Sequence, residues 1–126
     1  MKTYFADTNF YLRFLLQDNQ TQAAKVEYFL KLAKKEKIKI VYLPAIILEM
    51  EFVLRHVYTL PKSQISSKLL NLIKTPYLTV EDRGIWVKAF ELFNSKSIAL
   101  LDVFLLEKAK ANNAEILSFD KKLLSL

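Results

Sequence analysis

Four short stretches carry acids where chemistry is possible: "FADTN" with Asp7, "LEMEF" with Glu49 and Glu51, "LLDVF" with Asp102 and "SFDKK" with Asp120. Each has an ordinary structural use. Asp7-Thr8-Asn9 stands between a strand-like segment and an apolar helical pattern, where Asp, Thr and Asn all cap helices well. Asp102 lies near a helix start, where an acid favours the dipole, or it could belong to a buried ion pair. The chemical use is collective. Three or four carboxylates, in a chain with no cysteine and a single histidine, make an oxygen donor set that suits Mg²⁺ or Mn²⁺ rather than zinc. That histidine, His56, reads as a surface or rim residue. On a basic chain such a site points to phosphodiester chemistry. The ion would acidify a water into a nucleophile and neutralise charge building on the phosphate.

The elements that must position these acids alternate along the chain. Strands are expected at residues 2–6, 38–43, 77–80 and 114–119. Helices are expected at 8–16, 20–36, 44–57 (opened by Pro44), 62–74 (after Pro61), 83–95 and 99–111, with one last turn after Asp120. Asn112-Asn113 reads as a helix stop, since Asn tolerates the left-handed conformation that glycine usually supplies. Strands separated by helices argue for a parallel sheet with helices on both faces. In such sheets sites form beyond the carboxyl ends of the strands. Asp7 directly follows the first strand and Asp120 the last, so the two can converge if those strands are neighbours.

The helical acids are read by period. In 99–111, steps of about 100° put Asp102 on one face with Leu105, Leu106 and Ala109, the middle of an apolar stripe. A carboxylate there costs several kcal/mol unless paired or bound to metal. In 44–57, Ile46, Ile47, Met50, Val53, Leu54 and Val57 form one stripe, with Glu49 on one flank and Glu51 on the other. Periodicity alone does not choose between them. Leu48 and Phe52 make a second apolar strip near Glu49, expected to be deeply buried or to meet a partner.

The totals bound the class. At 126 residues, 52% hydrophobic and 25% charged, the chain is expected to be one globular domain over 1–126. The absence of cysteine excludes a disulfide framework and a thiol nucleophile. Asp7 and Arg13 interrupt the first apolar stretch, so no signal-peptide core is expected. The longest uncharged apolar run, 40–48, contains Pro44 and falls far short of the ~20 residues of a membrane span. A soluble, cytoplasmic protein is expected. The net charge of +6 favours a polyanionic partner, above all nucleic acid, and clustering four acids in one site leaves the remaining surface more basic still.

With these residues in hand, the chain resembles the PIN-domain nucleases, most closely the VapC-type toxins of toxin–antitoxin pairs. "FADTN" resembles the family's opening strand and acid, so Asp7 carries over. "LPAIILEMEFVLRHVY" resembles the segment in which a glutamate stands a few residues before a "V-L-R" run, and that spacing selects Glu49. "LLDVFLLEKAKANNAEILSFDKKL" resembles the acid-bearing helix, strand and "T-F-D" ending, bringing in Asp102 and Asp120, with Ser118 in the usual threonine place. Thr8 and Asn9 match the polar pair that supports the first acid, and with Ser118 they would orient carboxylates or a bound water. Arg13 and Arg55 are candidates for RNA phosphate contacts. The resemblance implies a PIN-like three-layer α/β sandwich with a short, mostly parallel central sheet. It also implies an RNA substrate, Mg²⁺ or Mn²⁺ as cofactor, a homodimer and a cognate antitoxin. Two departures stand out. The further short strand usual after the fourth acid is missing, so about four strands are expected. Bulky Val103 and Phe104 follow Asp102 where smaller residues are common.

Rival readings differ in particular residues. A haloacid-dehalogenase-like phosphatase needs a second aspartate two positions after the first, where this chain has Asn9. A receiver domain needs paired acids after its first strand, and Asp7 has no such neighbour. An RNA-processing nuclease that is not a toxin, or an inactive PIN-like module that binds RNA or protein, shares the fold; the presence of all four acids argues against the inactive module.

Overall fold

The computed structural model describes residues 1–126, and the chain divides into two compact units, Met1–Glu81 and Asp82–Leu126. The first holds β1 (Lys2–Phe5), α1 (Thr8–Leu16), α2 (Gln20–Lys34), β2 (Ile38–Tyr42), α3 (Pro44–His56), α4 (Lys62–Ile73) and β3 (Thr79–Val80). The β-branched run of β2 lies between β1 and β3 in a parallel three-stranded sheet. Its register pairs Lys2 with Ile38 through Phe5 with Val41 on one side, and Val41 with Thr79 and Tyr42 with Val80 on the other. Parallel neighbours need crossovers: α1 and α2 supply the first, α3 and α4 the second. The α/β architecture with a parallel sheet flanked by helices is therefore present, with three strands rather than about four.

Local signals explain the element ends. Asn19 Oδ1 accepts the Gln22 N–H at 3.0 Å to open α2, and Pro44 stands in the first turn of α3, where its missing N–H is harmless. With one glycine in the chain, the left-handed positions fall to Gln17, Glu36, Thr59, Asp82 and Asn113. The stop expected at Asn112-Asn113 is made by Asn113, just past the helix Leu100–Ala111.

Two fully buried tyrosines bind the layers of this unit. Tyr11 of α1 and Tyr42 of β2 lie with ring centroids 4.2 Å apart. Tyr11 Oη donates to the Val41 carbonyl at 3.1 Å, and Tyr42 Oη donates to Met50 Sδ of α3 at 2.9 Å. Burial pushes both phenols well above the ordinary tyrosine range, and Tyr42 is raised further by its neighbour Tyr11. Ile47, Met50 and Leu54 of α3 and Ile65 and Leu69 of α4 complete the same core.

The second unit holds α5 (Arg83–Ser95), α6 (Leu100–Ala111) and α7 (Lys121–Leu124). Its core is aromatic. Trp86 is buried and stacks on Phe104 at 4.0 Å and 20°, with Phe90 and Phe93 buried beside it. The fourth strand expected at 114–119 is not formed. A strand exists through its ladder to a neighbour, and the unit Asp82–Leu126 contains no strand to supply one. No helix is long and apolar enough to cross a membrane.

Candidate functional site

Asp7 lies directly beyond β1 and caps α1. Its Oδ1 accepts the Phe10 N–H at 3.0 Å, and the residue is exposed, so the carboxylate's other oxygen remains available. Thr8 follows as the first residue of α1. It is buried, and its Oγ1 has no hydrogen-bond partner. Buried hydroxyls are normally satisfied, so a polar atom is left over beside Asp7. Asn9 is exposed on the first turn of the same helix.

The structure separates the two glutamates of α3. Glu51 is buried and forms a two-point pair with Arg55, Nε to Oε2 at 2.6 Å and Nη2 to Oε1 at 3.2 Å. That bond raises the Arg55 pKa. Glu49 is exposed and lies outside this pair. Each nitrogen of the Arg55 guanidinium has a partner, because Nη1 also meets His56 Nε2 at 2.8 Å. Of the second apolar strip, Phe52 is 54% exposed with its ring 4.3 Å from that of His56, and Leu48 is partly covered, so the strip is not deeply buried.

Arg13, the other candidate for a phosphate contact, is likewise held. Nη1 pairs with Asp18 at 3.3 Å and Nη2 donates to Tyr58 Oη at 3.1 Å. Tyr58 escaped sequence reasoning, since nothing local marks a partner 45 residues away.

In the second unit Asp102 sits in the first turn of α6 and is half-buried. It is not at the centre of the buried stripe. Leu100, Val103 and Leu106 are buried there, while Leu105 is 44% exposed. Leucines lie on more than one side of the helix, so its period did not fix which side faces inward. Asp120 caps α7, with Oδ1 accepting the Lys122 N–H at 2.9 Å and the Leu123 N–H at 3.3 Å. Ser118 Oγ accepts the Asp120 N–H at 2.9 Å, so it fixes the backbone of that acid rather than its carboxylate.

Asp7 and Glu49 therefore belong to the first unit, and Asp102 and Asp120 to the second. No group of three or more acids or histidines is gathered to hold a metal ion. The salt bridges of the chain use other acids: Asp18, Glu51, Asp82 and Glu107. The donor chemistry of the four candidates, carboxylate oxygen without thiolate, fits a hard cation, and the unsatisfied Thr8 hydroxyl fits a hydrated one.

A family model for the PIN domain matches residues 4–126. No curated protein and no solved structure matches the chain.

Proposed function

The chain belongs to the PIN-domain family, and on that premise we propose that it is a Mg²⁺- or Mn²⁺-dependent endoribonuclease, the toxin of a toxin–antitoxin pair. PIN domains are generally metal-dependent nucleases that act on RNA. The observation that carries the proposal to this chain is Asp7. It is an exposed carboxylate at the carboxyl end of a parallel strand, held in place by its own helix through one oxygen.

Asp7, Glu49, Asp102 and Asp120 are proposed as the metal ligands, on the motif likeness and the family membership. When bound, the ion supplies an acidified water and neutralises charge on the phosphodiester. The chain's own residues do the rest. The cap to Phe10 N–H fixes the Asp7 carboxylate, and Asp120 is fixed in the same way by Lys122 and Leu123. Thr8 and Asn9 are proposed, on the motif likeness, as supports of the first acid. Ser118 sets the backbone angle at Asp120. Arg13 and Arg55 are proposed to face the RNA; each is already paired with a carboxylate, Asp18 and Glu51 respectively, so a phosphate contact has to compete with that pair. A homodimer is proposed with Phe52 of α3 in its interface, supported by that ring's exposure. A cognate antitoxin is proposed as the inhibitory partner, on the motif likeness alone.

The test is cleavage of a structured RNA by purified protein. Cutting should require Mg²⁺ or Mn²⁺ and stop with EDTA; undiminished cutting in EDTA sinks the metal assignment. Co-expression of the neighbouring reading frame should relieve growth arrest if the chain is a toxin, and the absence of any arrest returns it to RNA processing.

A further inference from the structure

A cleft of about 240 Å³ opens between α1 and α2, wholly inside the first unit. Its floor is apolar and aromatic: Phe10, Val26 and Phe29, the two rings 6.5 Å apart and inclined at 64°. Its rim carries two cations, Arg13 and Lys25, and two amides, Asn9 and Gln22. No acid lines it. The Arg13 guanidinium plane is fixed by Asp18 and Tyr58. Asn9, on its rim, and Asp7, the carboxylate proposed to hold the ion, both belong to the amino-terminal end of α1.

We propose that this cleft is a subsite for one unpaired RNA base, that of a nucleotide flanking the cleaved phosphate. The proposal rests on the reading of the chain as a ribonuclease. Three features select a base over an apolar protein segment. Bases bind by stacking on aromatic faces or guanidinium planes, and the cleft is lined by two aromatic rings and one guanidinium. Asn and Gln each present a donor and an acceptor, which is what a base edge needs and an aliphatic side chain does not. The ionised groups that line the cleft are cationic, and while Arg13 is paired with Asp18, Lys25 is complementary to a flanking phosphate. The volume lies below the roughly 300–1,000 Å³ of drug-sized sites, which suits one planar ring system.

The experiment measures binding without cleavage. Fluorescence anisotropy in EDTA compares a labelled oligoadenylate of about eight residues with the same backbone made abasic. The parent should bind the base-bearing strand about tenfold more tightly, the scale of one base stack. Phe10→Leu keeps apolar volume but loses the aromatic face, and Gln22→Ala removes an exposed rim amide. Each should erase most of that difference and leave abasic binding unchanged. Equal binding of the two strands by the parent overturns the proposal, as does a difference that survives both substitutions. If instead Gln22→Ala abolishes a dimer of the parent and leaves oligoadenylate binding intact, the cleft belongs to a second copy and the proposal fails. Base-dependent binding in a protein that never cuts RNA with Mg²⁺ leaves the subsite standing and removes the ribonuclease reading.

Discussion

Asp7 has two jobs, and substitution can part them. Asn caps a helix about as well as Asp, whereas Ala costs about 1 kcal/mol. Asp7→Asn should therefore melt within about 0.5 kcal/mol of the parent and yet lose nearly all cleavage, while Asp7→Ala should lose both. Retained cutting in Asp7→Asn would mean that the carboxylate is only a cap. The glutamates of α3 should divide in the opposite sense. Glu49 is exposed and outside the Arg55 pair, so Glu49→Gln should abolish cutting at unchanged melting temperature. Glu51→Gln breaks a pair whose acid is buried and whose arginine is half-exposed. The cost should be roughly 1–2 kcal/mol, below the 3–5 of a fully buried pair, with the residual fold still able to cut. A Glu51→Gln protein that is stable and inactive would reverse the assignment.

Among the elements, α1, β2 and α3 depend on one another through Tyr11, Tyr42 and Met50. Both phenols are neutral in the fold and held above their ordinary range by burial. In the unfolded chain they ionise near pH 10. Above that pH the unfolded state binds fewer protons than the folded one, so stability falls as pH rises. The stabilisation is fully present below about pH 10 and is lost on the way to the raised folded values. Urea midpoints at about pH 8 and about pH 11 should therefore differ clearly for the parent. Tyr11→Phe should start lower, by about 1 kcal/mol for the lost bond to the Val41 carbonyl, and then fall less over the same pH interval. An equal fall in parent and variant would remove the tyrosines as its cause.

For the whole molecule, the open question is what covers α3. Phe52 is more than half exposed, with His56 and Arg55 against its ring. Large apolar side chains exposed beside one another mark association sites when they form a patch. The proposed dimer should sediment as such at micromolar concentration, and Phe52→Lys should convert it to monomer without lowering its melting temperature below that of the parent monomer. A parent that sediments only as monomer ends the dimer proposal.

How much of this was legible beforehand depends on the range of the forces. The element order and most element ends were readable because capping, proline placement and hydrophobic period act within a few residues. Asp7, Pro44 and Asn113 are visible in the chain as written. The placement of Asp7 and Asp120 after strand-like segments was readable for the same reason, and Asp7 does lie beyond a paired strand. The rest belongs to tertiary structure. A strand needs a partner to supply its hydrogen bonds, so "AEILSF" had strand composition without becoming one. A helix whose apolar residues do not keep to one stripe, such as α6, takes its inward face from its neighbours, which moved Asp102 off the buried line. Glu49 and Glu51 are equivalent in period, and only the Arg55 pair made one of them structural. Arg13 is held by Tyr58, and the cleft between α1 and α2 joins side chains from two helices: these are meetings across sequence that no local pattern encodes.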